Sequence, residues 1–258
     1  MGLAKFVSVL TTRSLYFACP TQFSDPYEGV LPKSHIDAGA RSFQTLIDPC
    51  LLLTKQVASQ PIPAGAEELC RRSLQALDDA LDRMRKTTHK QVVSKFGVCC
   101  WHEGEHESDA MWKLYSASGQ GIAVESTIGQ LRTSLGNREG LQIDRVRYMD
   151  FERDPIEKAH RHYKIFIKRK SFEHEKEVRA TVLLPEEGKG TPIGCDLDVL
   201  ITCVHVSPLI EPFVKFAIAD LCAGKIHCLN KPVLQSSLYC AADDEININT
   251  DWRRFNRT

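Results

Sequence analysis

A chain of 258 residues holds one large domain or two small ones, and folding at that length removes roughly three quarters of the unfolded chain's surface from water. Hydrophobic residues make up 43% and charged residues 26%, the balance of an ordinary globular protein. The 33 basic residues equal the 33 acidic ones, so net charge argues against nucleic acid and membrane phosphates as partners and leaves open only a local basic patch.

Ten cysteines are spread along the chain, several of them in apolar runs such as "GVCCW" and "LITCVHV". That pattern predicts reduced, mostly buried thiols and a cytoplasmic protein rather than a disulfide scaffold. The opening "MGLAKFVSVLTTRSLYF" lacks a small-residue cleavage site and reads as part of the domain. Phe6 stands where a myristoylation signal carries Ser or Thr. No apolar run approaches the length of a membrane span.

Taken in chain order, residues 3–13 predict an amphipathic helix with Leu3, Phe6, Val7 and Leu10 on one face. A short buried strand (14–20) follows, stopped by Pro20, and then a loop (21–32) punctuated by Asp25-Pro26 and Gly29. Residues 40–57 and 66–95 predict helices separated by a turn at 59–65. A strand at 95–101 leads to a helix over 107–116 that Ser108 or Asp109 can cap. Next come a strand (121–127), a short helix "IGQLRTSL", a strand (144–151) and a helix (155–172) with Pro155 in its first turn. Strands at 177–184 and 199–208, a helix "EPFVKFAIADLCAG" and a strand at 231–239 complete the reading. Interleaved elements without a repeat predict a single α+β domain over 1–242, with a mixed or antiparallel central sheet and helices packed around it. Residues 243–258 read as a polar tail. No feature sets an oligomeric state.

His102-Glu103-Gly104-Glu105-His106 matches H-E-x-x-H literally. A zinc peptidase needs that motif on a helix, so that both imidazoles face one metal. Here Gly104 sits at its centre, where glycine costs up to about 1 kcal/mol in a helix, and the segment falls between a strand and the next helix cap. A solvated polar loop is the reading adopted. Cys99 and Cys100, adjacent on a strand, point to opposite faces, which predicts that at least one fills the core.

Glu175, Glu177 and Arg179 alternate into the strand at 177–184 and share one face. Such a row makes a structural ion-pair edge. It can equally polarise a ribose hydroxyl and stabilise a cation-like sugar. Asp25 and Glu28 in "FSDPYEG" either hold a turn or line a pocket. Trp112 and Tyr115, three apart on one helix face, serve as core or as a stacking surface. Lys168, Arg169 and Lys170 read as a helix C-terminus favouring cations or as a phosphate contact.

Four segments carry a resemblance: "KFVSVLTTRSLYFACPTQFSDPYEG" (5–29), "CWHEGEHESDAMWKLYSASGQGIAVEST" (100–127), "KRKSFEHEKEVRA" (168–180) and "DLDVLITCVHVSP" (196–208). In order and spacing the chain resembles the bacterial domain-of-unknown-function family twenty-nine seventy-one, with its F-x-D-P-[FY]-E loop, its M-W-x-x-Y segment and its late E-x-E-x-R. The Glu-x-Glu opening a late strand also looks like the motif of ADP-ribosyltransferases. That likeness implies a nucleotide or other small-molecule ligand, with NAD as substrate rather than a resident cofactor. Glu177 would be the catalytic carboxylate, Glu175 its helper and Arg179 a further member of the site, with Asp25, Glu28, Trp112, Tyr115 and Lys168 contacting ligand.

Members of the family begin slightly earlier, with a strand before the first helix. This chain therefore either starts late and is silent, or uses Arg13 or Arg179 to hold the NAD phosphates. Two other expectations stand beside the transferase: a catalytically silent binding or regulatory module, and an acidic metal-dependent nuclease-type site built from Asp25, Glu28, Glu175 and Glu177.

Overall fold

The computed structural model describes residues 1–30, 93–116, 119–154, 163–224 and 229–240, together with 32, 72 and 75. The helices expected over 40–57 and 66–95 lie almost wholly outside the described residues, and the tail 243–258 lies entirely outside them. In chain order the elements are α1 (Leu3–Thr12), β1 (Ser14–Phe17), β2 (Phe96–His102), α2 (Asp109–Tyr115), β3 (Ile122–Glu125), α3 (Ile128–Leu135), β4 (Gln142–Arg145) and β5 (Arg147–Met149). There follow β6 (Ile167–Arg169), β7 (Glu177–Leu183), β8 (Thr191–Gly194), α4 (Leu197–Leu200), β9 (Cys203–Val206), α5 (Pro212–Ala223) and β10 (Val233–Gln235). The class is α+β, and the described strands form four small sheets: β1-β8, β10-β9-β3, β2-β7-β4 and β5-β6.

The described residues fall into two compact units. The first takes Met1–Phe17, His102–Ile143 and the described residues from Thr191 onward. In α1 the i, i+4 pair Phe6 and Leu10 is buried, the one-face spacing the sequence predicts. The helix ends where Arg13 turns left-handed at φ 46°, and the Arg13 carbonyl accepts from Cys195 N–H. β1 runs antiparallel to β8, from Ser14 opposite Gly194 to Phe17 opposite Thr191. Sequence reading missed β8 because Pro192 argues against a strand, and a proline is accommodated in so short a ladder at a sheet edge.

In the same unit β9 lies between β3, to which it is antiparallel, and β10, to which it is parallel. Local chemistry sets the helix starts. Ser108 accepts from Met111 N–H to cap α2, and Thr127 with Gln130 closes a reciprocal capping box on α3. The expected strand 199–208 is corrected in its first half. Asp196 accepts from the N–H groups of Asp198 and Val199 and starts α4, and β9 begins only at Cys203. Leu197, Leu200 and Ile201 are all 0% exposed, at the i, i+3, i+4 spacing of a helix face, and the expected strand, starting at 199, left out the first of them and its Asp196 cap.

The second unit is made from the described residues of Ala18–Trp101 and Asp144–Gly190. Its core includes Val93, Phe96, Val98, Ile165 and Phe166, with Phe23 packed against them. Of the adjacent cysteines of β2, Cys99 is half-buried and Cys100 exposed by residue area, yet the Cys100 thiol stands beside Arg179, Glu177 and Glu28, where desolvation pushes it well above the usual thiol range; burial in β2 is fullest at Phe96, Gly97 and Val98. The expected strand 144–151 breaks at Val146, whose N–H donates to the Glu177 carbonyl, whereas Arg147 N–H donates to the Phe166 carbonyl. The chain thus changes partner, and β5 pairs in parallel with β6.

The helix expected over 155–172 is also corrected in its described part. Tyr163–Ile165 is a single 3-10 turn, Ile167–Arg169 is β6, and Lys170–Glu175 is a second 3-10 segment. Ile165, Phe166 and Ile167 are consecutive and all buried. Ile165 ends the 3-10 turn and Ile167 opens β6, whose extended form is set by its pairing with Arg147–Met149 of β5.

Candidate functional site

β7 opens as Glu177-Val178-Arg179-Ala180-Thr181, and all five residues are buried. Alternation places Glu177, Arg179 and Thr181 on one face and Val178 and Ala180 on the other. Charged groups survive in an interior only when each is paired, and the second unit supplies the partners.

Arg179 is 0% exposed, and each nitrogen of its guanidinium is engaged. Nε donates to Glu177 Oε2 at 2.6 Å and Nη2 to Glu28 Oε2 at 3.3 Å. Nη1 donates to Glu28 Oε1 and to the Ile165 carbonyl, the latter at 2.6 Å. Lys168, on β6, donates from Nζ to Glu177 Oε1 at 2.9 Å and also to Glu175 Oε2. The Tyr148 hydroxyl accepts from Glu177 N–H at 2.8 Å.

The "FSDPYEG" loop brings Glu28 to this network by its own turn chemistry. Asp25 Oδ1 accepts from Tyr27 N–H at 3.0 Å, and the Asp25 carbonyl accepts from Glu28 N–H at 3.2 Å. The same Asp25 oxygen accepts from Arg169 Nη2 at 2.7 Å, and the Arg169 guanidinium lies 4.2 Å from the centre of the Tyr27 ring. Asp25 is therefore a turn former and an ion-pair partner at once.

Among the described residues, Glu28, Glu175 and Glu177 pair with Lys168 and Arg179, so three carboxyls share two cations. Glu175 takes up the difference. Burial, with Glu177 alongside, raises it from 4.5 to about 7 despite the Lys168 ammonium. Burial also works to raise Glu177, but the Arg179 charge and the hydrogen bonds from Glu175, Lys168 and Arg179 outweigh it and hold Glu177 at about 2. With Glu175 protonated the set is neutral, the arrangement a low-dielectric interior favours. Burial pushes the Tyr148 hydroxyl up to about 12.

The raised Glu175 carries a pH dependence of definite sign. The folded state holds its proton up to about 7, the unfolded state only to about 4.5. Folding therefore binds a proton across that window, and stability falls as pH rises through it. Relative to Glu175→Gln, the wild type is expected to lose about 1–3 kcal/mol between the two values and to change little above them. Denaturant titrations of both proteins across that range measure it, and a gap that widens with pH in favour of the wild type would contradict the assignment.

Of the residues expected from sequence, Asp25, Glu28, Lys168, Glu175, Glu177 and Arg179 all lie in the second unit. Five of them form the network around β7, and Asp25 joins Arg169. Trp112 and Tyr115 stand on α2 in the first unit. There the Trp112 indole N–H donates to Glu107 at 2.9 Å, and Tyr115 is 52% exposed. Arg13, also in the first unit, pairs with Asp198 at 2.7 Å.

Two expectations about local geometry are corrected. Glu175 is not on the strand, because Lys176 turns left-handed at φ 41° and leaves Glu175 at the end of the preceding 3-10 segment. Lys168 is not at a helix C-terminus but on β6, and it is only 8% exposed. The ion pairs are accordingly interior rather than a solvated strand edge. Sequence reasoning missed Tyr148 and the Ile165 carbonyl, for which no local signal exists.

The literal H-E-x-x-H does not form a helix: β2 ends at His102, α2 starts at Asp109, and residues 103–108 between them carry none. The histidines are therefore not one helical turn apart. Among the described residues, one group of potential metal ligands comes together elsewhere, Glu125 with Cys203 and His205 in the first unit.

No family model, no curated protein and no solved structure matches this chain.

Proposed function

We propose that this chain is a catalytically silent binding or regulatory module, in which the carboxylates and cations of the second unit hold the fold rather than act on a substrate. One observation carries this reading: the Arg179 guanidinium is fully buried with each nitrogen engaged, and both oxygens of Glu177 accept from cations. A carboxylate that must hydrogen-bond a ribose, or ligate a divalent cation, needs a lone pair facing the ligand. In Glu177 each oxygen already accepts from a cation, Oε1 from Lys168 and Oε2 from Arg179, which reduces what it can offer a ligand. Glu28 likewise gives both oxygens to Arg179, and Asp25 gives one, Oδ1, to Arg169; a nuclease-type metal site would have to draw these carboxylates away from their cations.

A second reading keeps glycosyl transfer from NAD, with membership of family twenty-nine seventy-one and a cytoplasmic setting as parts of the same proposal. It is favoured by one feature: neighbouring carboxyls at about 7 and about 2 are the division that acid–base sites use. No helix among the described residues is long and apolar enough to cross a membrane.

Nicotinamide release from NAD by the purified protein separates the readings, with Glu177→Gln alongside and cell extract added as acceptor. The silent module predicts no release above background from folded protein. Release that Glu177→Gln abolishes, while leaving the protein folded, would overturn it in favour of the transferase.

A further inference from the structure

On β9 the sequence Cys203-Val204-His205 places a thiol and an imidazole two residues apart, hence on one face of the sheet. The antiparallel register sets Glu125 of β3 opposite Cys203 and the small Ala123 opposite His205. Glu125 thus reaches diagonally to the imidazole, and its Oε2 lies 2.7 Å from His205 Nε2. The three donor atoms all lie within 4.8 Å of one another.

The positions are held by backbone rather than by loops. β9 has a neighbour on each side, and past Glu125 the ladder is closed by Thr202 N–H donating to the Glu125 carbonyl at 2.9 Å. Burial grades across the group: Cys203 is 5% exposed, the His205 side chain 24% and the Glu125 side chain 53%. The thiol forms the floor and the carboxylate the rim.

We propose that Glu125, Cys203 and His205 form a binding site for a zinc-class divalent cation with one position open to solvent or to a ligand. Thiolate, imidazole and carboxylate are the donor types zinc takes, and three protein ligands with an open fourth position is the pattern of exchangeable sites. A tetrahedral ion with bonds of about 2.0–2.3 Å keeps its donors about 3.3–3.8 Å apart. Glu125 and His205, now hydrogen-bonded, must therefore part by under about 1 Å, while the thiol closes in by a comparable amount. The exposed Glu125 has the freedom to do this. The Cys203 thiol, 3.4 Å from the Pro232 carbonyl, gives its proton to solvent as the sulfur binds the ion. The sulfur selects against magnesium and calcium, which take oxygen ligands.

Cobalt(II) titrated into the full chain, after treatment with a chelator, reads the site directly. The expected result is a thiolate-to-cobalt charge-transfer band with the visible bands of a four-coordinate ion, both removed by stoichiometric zinc. Cys203→Ser is expected to lose the charge-transfer band. Cys240→Ser, which removes an exposed thiol, is expected to keep it. Glu125→Gln, a rim substitution that leaves packing intact, is expected to weaken binding by more than about ten-fold, the least that disturbing even an outer-shell partner costs such sites. Absence of the band from the wild type, its survival in folded Cys203→Ser, or unchanged affinity in Glu125→Gln would each overturn the site and leave Glu125 and His205 as a surface hydrogen-bonded pair. Should Cys203→Ser fail to fold, Glu125→Gln decides.

Discussion

Arg179→Met is expected to destabilise the protein by about 3–5 kcal/mol, the cost of removing one partner from a buried ion pair. Arg179 neutralises Glu28 and Glu177 together and also satisfies the Ile165 carbonyl. Without it two carboxylates remain in the interior against Lys168 alone, and protonating them has its own free-energy cost. The methionine restores volume but no donor. Arg13→Met is the matched control, since its ion pair with Asp198 is about half exposed on each side; such pairs contribute about 0–1 kcal/mol. Urea denaturation of the two variants measures both. Equal, small losses would show that the buried network contributes no more than a surface pair, and would remove the observation on which the silent-module reading rests.

Gly29→Ala is expected to be the most damaging single-methyl substitution in the loop that delivers Glu28. Gly29 has φ +74°, and a Cβ there would lie 2.2 Å from Val93 Cγ1, in a core where Val93 is 1% exposed. The backbone conformation costs an alanine about 1–2 kcal/mol, and overpacking adds about 1–3 kcal/mol. Gly188→Ala isolates the first effect, because Gly188 has φ +80° with nothing within 4 Å of the added carbon. Loss in Gly29→Ala should exceed that in Gly188→Ala by the packing term, and Val93→Ala in the Gly29→Ala background should add less than it does alone. Additive losses would mean that the two side chains do not meet.

Several elements were legible because their signals are local. The i, i+4 pair in α1 and Ser108 before α2 each act within a single helical turn, and the expected short helix "IGQLRTSL" is α3, which a Thr127/Gln130 box starts. The strand carrying Glu177 and Arg179 was legible from its β-branched content and its length. Where sequence reading failed, the deciding partner is distant in sequence. Residues 163–172 carry an apolar pattern compatible with helix, yet Ile167, Lys168 and Arg169 pair with Arg147, Tyr148 and Met149. β8 depends on Ser14–Phe17, far earlier in the chain.

The candidate site divides in the same way. Residue chemistry and the motif resemblance together singled out Asp25, Glu28, Lys168, Glu175, Glu177 and Arg179, charged side chains beside apolar strands and turns that demand partners wherever they end up. Whether those partners are water, a substrate or one another is a question of burial, and burial belongs to the assembled fold. Arg179 meets Glu28 across 151 positions of sequence, and the Cys203–His205 pair meets Glu125 across about 80. Sequence by itself determined the cap of α2, the strand carrying the charges and the identity of the ionisable groups, since propensity, capping and alternation act over a few residues. Only the tertiary structure decided that the Glu-x-Glu-x-Arg row is an interior network and that a thiol, an imidazole and a carboxylate share one sheet face. Strand pairing and burial are set by long-range contacts, whose free energy no local window of residues contains.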